Sequence, residues 1–136
     1  MKFFAVVVLA LSFLICTHGV GRAMDEYEKG QLIGNLGFGA MLLDAYYEIC
    51  LANGYRTDNY LNGVNKLISK KIGVSFSEMA KEQEKQTGRN FRQEAHTMIK
   101  NAASELEGCK SVKMNNWLKL MEDEYHKNLS TFHKIK

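Results

Sequence analysis

The chain has 136 residues, with 18 lysines and arginines against 15 aspartates and glutamates, 46% hydrophobic residues, three cysteines and no proline. A formal charge of +3 lacks the basic excess that a phosphate backbone calls for, which argues against nucleic acid as a partner. The three cysteines form no CxxC and no zinc-knuckle spacing, which argues against a dithiol redox motif or a zinc ribbon.

The first stretch reads as a leader. Lys2 gives a short positive start, residues 3–15 are apolar except for Ser12, and Gly21-Arg22-Ala23 offers small residues where a signal peptidase wants them. The apolar run is too short for a comfortable membrane span, and bulky Ile15 before Cys16 does not suit a lipobox. The expectation is a signal peptide over residues 1–23 and a single helical domain over 24–136, with no stable membrane span after cleavage. Losing Lys2 and Arg22 leaves 16 basic against 15 acidic residues. Cys50 and Cys109 then remain as an even pair in an exported chain, and a disulfide between them is expected.

The organising element is the stretch from Gly30 to Gly54, read as one long helix that ends at Cys50. Asp25, Glu26 and Glu28 precede it, where a helix N-terminus favours negative charge. Leu32, Leu36, Leu43, Tyr46, Tyr47 and Cys50 lie on a broad apolar side, and Asn53-Gly54 is read as a left-handed stop. Gly30 and Gly34 form GxxxG, followed by Gly37 and Gly39. Glycine inside a helix costs about 1 kcal/mol relative to alanine, so something must offset it. Two explanations stay open: close approach of a crossing helix, or a surface kept bare for a partner or ligand.

A second helix is expected from about Thr57 or Asp58 to Gly73, with Tyr60, Leu61, Val64, Leu67, Ile68 and Ile72 at helical spacing. Ser75 and Glu78 form a capping box for a short third helix through Lys85, broken by Thr87-Gly88. Asn90 and Gln93 open a fourth, with Phe91, Ala95, Met98, Ile99, Ala102, Ala103 and Leu106 on one face and Gly108 as its end. The fifth runs from about Ser111 to Phe132 and is expected to bury Val112, Met114, Trp117, Leu118, Met121, Tyr125, Leu129 and Phe132. Both cysteines sit beside a helix C-terminus, which suits an antiparallel or crossing pair. The fold class is all-α: a compact bundle of about five helices around the long Gly-rich first helix, with one disulfide.

Catalytic and metal signatures are thin. Glu122, His126 and His133 lack the ligand density of a metal site, and HExxH is absent. Asp44 and Glu48 are an i, i+4 carboxylate pair that acid–base work would need to find in a cleft; otherwise they edge the helix or pair with Arg56 or a lysine. His96 stands alone, and both cysteines are committed. No catalytic residue, metal or cofactor is therefore nominated. The candidate interaction surface is Gly34, Gly37 and Gly39 together with Tyr46, Tyr47, Tyr55 and Tyr60. Asn128-Leu129-Ser130 is an N-glycosylation sequon, meaningful in a eukaryotic source.

With Gly34, Gly37, Cys50 and Cys109 in these places, the chain resembles small bacterial envelope proteins that have a signal peptide, a Gly-rich first helix ending in cysteine and a second cysteine late in a helical domain. The likeness covers most of the mature length, although residues 54–65 have no counterpart. Periplasmic immunity proteins of toxin systems share the size and the disulfide. The leader implies export, to the periplasm in a bacterium, as the resemblance also implies, or out of the cell in a eukaryote. The expected function is a non-enzymatic interaction module, either an accessory factor of an envelope or secretion machinery or an immunity-type inhibitor. Its partner would be another envelope or secreted protein, and self-association is compatible with such a surface. The alternative is a carrier of a small apolar ligand held between the long helix and the helices bearing Met98 and Met121.

Overall fold

A computed structural model describes residues 24–51 and 59–136. The expected leader, the Asn53-Gly54 stop, Arg56 and Tyr55 lie outside the described residues. Five helices follow one another: α1 (Glu26–Cys50), α2 (Tyr60–Ile72), α3 (Phe76–Thr87), α4 (Phe91–Glu105) and α5 (Val112–Lys134). Helix α1 packs against each of the other four, and α2 also packs on α3.

Local chemistry sets the helix starts. Asp25 and Glu28 close a capping box at α1: the Glu28 N–H donates to Asp25 at 2.8 Å and the Asp25 N–H to Glu28 at 3.0 Å. Ser75 and Glu78 form the expected box at α3, where the Ser75 N–H and hydroxyl hold the Glu78 carboxyl below its ordinary pKa. Asn90 accepts from the Gln93 N–H, while the Phe91 N–H goes to Glu84 of α3. Ser111 caps α5 through the Met114 N–H and donates back to the Leu106 carbonyl. Gly73 and Gly88 end α2 and α3 in the left-handed conformation, as expected. Helix α4 stops at Glu105, before the expected Gly108, because Glu107 already turns left-handed and the Gly108 N–H closes on the Ala103 carbonyl.

The core differs from a one-sided stripe. Leu36, Leu43, Ile68, Ile99, Met114 and Phe132 are fully buried. On α1, Ala45 is buried as well as Leu36, Ala40 and Leu43, so this helix is covered on opposite sides. A helix touched by four neighbours needs more than one apolar face. Val112, expected in the core, is 74% exposed. It lies two residues from buried Met114, and two helical residues apart point to opposite sides.

The Cys50–Cys109 disulfide is present, with its Cα atoms 5.2 Å apart. It ties the end of α1 to the turn between α4 and α5. Glu48 meets the first half of α4, at Arg92 and His96, while the disulfide lies just past its last turn. Helix α4 thus lies across the end of α1, the crossing arrangement of the two expected. At the other end of the bundle, the Lys71 ammonium donates to the Phe132 and His133 carbonyls at 2.9 and 3.1 Å, satisfying the end of α5 from α2.

Candidate functional site

The glycines of α1 fall into two classes. A Cβ on Gly37 would lie 2.1 Å from the Phe76 ring, so Phe76, the first residue of α3, packs directly on the α1 backbone. Close packing therefore accounts for Gly37. Among the described residues, a Cβ on Gly30 or Gly34 would meet nothing within 4 Å beyond its own stretch of helix, and both glycines are exposed. Gly39 is in between: a Cβ there would lie in ordinary contact with the Tyr125 ring, at 3.8 Å.

The arrangement opens a groove. Anchored at Gly37, α3 faces the first half of α1 with Met79 and Ala80, and further along with Gln83 and Gln86. Gly30, Ile33 and Gly34 line the α1 side, with Glu82 on the rim, around about 410 Å³ open to solvent. The bare backbone of Gly30 and Gly34 lets a visiting side chain or helix come closer than any larger residue would permit. The groove is apolar near Phe76 and Met79 and offers amide hydrogen-bonding groups at Gln83 and Gln86.

Around the other half of α1 the tyrosines make a chain of ring contacts. Tyr46 and Tyr47 meet edge to face at 5.8 Å, Tyr47 stacks on Tyr60 at 5.9 Å, and Tyr60 meets Tyr125 of α5 at 5.4 Å. Tyr46 and Tyr125 are buried, while Tyr47 and Tyr60 are half-buried. Together with Gly37, Tyr46 is an interior residue rather than part of an outer surface. This cluster joins α1, α2 and α5, and Tyr125, absent from the candidate set, is its fourth member.

Burial pushes the Tyr60 hydroxyl up to about 12, helped by its hydrogen bond with Tyr47 and by the nearby Tyr47, Glu122 and Tyr125. Tyr46 and Tyr125 are raised too, chiefly by burial. A phenol that ionises later in the folded chain than in the unfolded one stabilises the fold fully below the unfolded value near 10. That contribution fades as pH rises from about 10 to 12. Titration of tyrosinate absorbance should show late ionisation of these rings, coupled to alkaline unfolding. Ordinary ionisation of every tyrosine with the fold intact would contradict the cluster.

Asp44 has a structural task. Its two carboxylate oxygens accept the N–H groups of Tyr60 and Leu61 at 2.8 and 2.9 Å, while Asn59 accepts from the Asn62 N–H. Three free donors at the start of α2 are thus answered, two by a charge from α1 where the helix dipole favours it. Asp44→Ala should cost about 2 kcal/mol, as loss of a strong cap. Denaturation and amide exchange at Tyr60 and Leu61 would measure it; unchanged protection there would remove Asp44 from this role.

Glu48 points to α4 instead. His96 Nε2 lies 2.8 Å from its carboxylate and the Arg92 guanidinium 3.4 Å away. Neither interaction was legible from spacing within one helix. On α5, Glu122 lies near Tyr46 and Tyr60, His126 meets Tyr125 edge to face at 5.4 Å and the His133 carbonyl accepts from Lys71. Among the described residues no three of His, Cys, Asp and Glu come together as a metal site. Asn128 of the sequon is 6% exposed within α5, so the folded chain does not present it for modification.

Among the described residues no helix is long and apolar enough to cross a membrane. No family model, no curated protein and no solved structure matches the chain.

Proposed function

We propose that the chain is an exported, non-enzymatic interaction module. It takes an apolar helix of another envelope or secreted protein into the groove between α1 and α3. The observation that carries this reading is the pair of uncovered glycines, Gly30 and Gly34, on the α1 side of an open groove of about 410 Å³. Helices with glycine spaced four residues apart accept a partner backbone at short range. Methionine at Met79 adapts its shape to different apolar side chains. Exposed helix-interior glycines that meet no packing partner among the described residues carry the propensity cost with no gain inside that part of the fold. Contact with a partner would supply that gain.

The non-enzymatic reading draws support from Asp44, whose carboxylate serves the start of α2. Export draws on the leader-like residues 1–23 and on a disulfide that suits an oxidising compartment. The second reading is a carrier of a small apolar ligand, which the groove volume also suits. Its place would be beside Met79 rather than the expected Met121, which belongs to the core.

A photo-crosslinking residue at Gln83 separates the two. The interaction reading expects a covalent adduct to one exported protein, absent when the same residue replaces Lys100 on α4. A lipid adduct with no protein would favour the carrier. Equal labelling from both positions would remove the groove from consideration.

A further inference from the structure

Charge is unevenly spread over this nearly balanced chain. Residues 59–77 and 128–136 contain no aspartate or glutamate, yet carry Lys66, Lys70, Lys71, Lys134 and Lys136. From residue 24 onward the chain has 16 basic and 15 acidic residues; without these five lysines, eleven basic residues face fifteen acidic ones. The fold brings the end of the first stretch and the second stretch to one pole, because Lys71 at the end of α2 donates to the last carbonyls of α5 and lies over the Phe132 ring at 5.3 Å, while the start of α2 lies beside Asp44 and Tyr125. All five lysines are exposed, and none is ion-paired among the described residues. Lysines elsewhere often have a carboxylate, as in Lys29–Glu26, Lys85–Glu82 and Lys119–Asp123. The acidic first turn of α1 is engaged in its own cap and with Lys29.

We infer that this pole is a peripheral contact for a membrane rich in anionic lipid headgroups. Two isoleucines sit among the cations: Ile72, 44% exposed, directly after Lys70-Lys71, and half-buried Ile135 between Lys134 and Lys136. Lysine stems carry their ammonium groups toward phosphate while neighbouring apolar tips enter the headgroup boundary. The cations are lysines without an arginine, and Phe132 is buried. A nucleic-acid surface draws on bidentate arginine and on several exposed aromatic rings for stacking; these two stretches hold no arginine, and their one exposed ring is His133. The surface is separate from the groove, so it stands or falls apart from the proposed interaction.

The test is co-sedimentation of the purified, disulfide-bonded protein with vesicles of phosphatidylcholine alone and of phosphatidylcholine mixed with phosphatidylglycerol. Binding to the mixed vesicles only, weakened by added salt, is the expected result. A lysine near an anionic surface contributes about fivefold in affinity, so Lys70→Gln with Lys134→Gln should lower binding by about 25-fold. Ile72→Ser should weaken it further at unchanged salt dependence. Circular dichroism of each variant confirms the fold, and Lys71 is left intact because it closes α5. No binding to either vesicle, equal binding to both, or a double variant that binds like the parent would overturn the inference. So would a soluble acidic protein or a nucleic acid that binds through these lysines while the vesicles do not.

Discussion

Replacing Cys50 and Cys109 together by serine is expected to lower the unfolding free energy by about 4 kcal/mol. The cysteines are 59 positions apart, and a cross-link closing a loop of that length removes much of the freedom of the unfolded chain. A small helical domain has limited core to make up such a loss. Position adds to length. The bond holds Cys50, the last residue of α1 before its cap at Leu51, against the turn after α4. Urea denaturation of the oxidised protein, the same protein under reductant and the double serine variant would measure the effect. The last two should coincide, well below the first. A difference of less than about 1 kcal/mol would show that the helices hold together without the bridge.

The second large effect is at Gly37. Gly37→Leu places a side chain where the Phe76 ring already lies, 2.1 Å from the first new atom. The ring is itself buried and starts α3, so relief requires α3 to move off α1. Overpacking of this kind should cost about 3 kcal/mol, even after the gain in helix propensity from losing a glycine. Thermal unfolding and proteolysis within α3 would report it. Truncating the ring in the same chain, as Gly37→Leu with Phe76→Ala, should recover part of the loss, because the two sites share one volume. Strict additivity of the two losses would mean that they do not compete for that space.

The helices were legible because their signals are local. Ser75 and Glu78, Gly73 and Gly88, and the apolar spacing from Phe91 to Ala102 each act within a few residues of themselves. The disulfide was legible by counting, since only two cysteines, Cys50 and Cys109, lie outside the leader-like residues 1–23 and leave one pairing. What sequence could not give was long-range. Asp44 reads as half of a carboxylate pair until α2 arrives with two free N–H groups. Gly30, Gly34 and Gly37 look alike along the chain, and only the arrival of Phe76 over the last tells packing from bare surface. Tyr46 reads as a surface candidate beside Tyr47, yet consecutive helical residues point about 100° apart and the first turns inward. Lys71 has no local sign of its task, because the carbonyls it answers lie about sixty residues later, 61 and 62 positions along the chain.

The most direct measurement for the proposed groove is Gly34→Leu, assayed at once for stability and for capture of exported partner proteins. Among the described residues, no atom outside its own stretch of helix lies within 4 Å of the new Cβ, and leucine is a better helix former than glycine by nearly 1 kcal/mol. The melting temperature should stay level or rise while the side chain fills the groove. With the fold intact, the partner captured by the parent protein, the one crosslinked from Gln83, should be lost. A stable Gly34→Leu protein that still captures that partner undiminished would contradict the account.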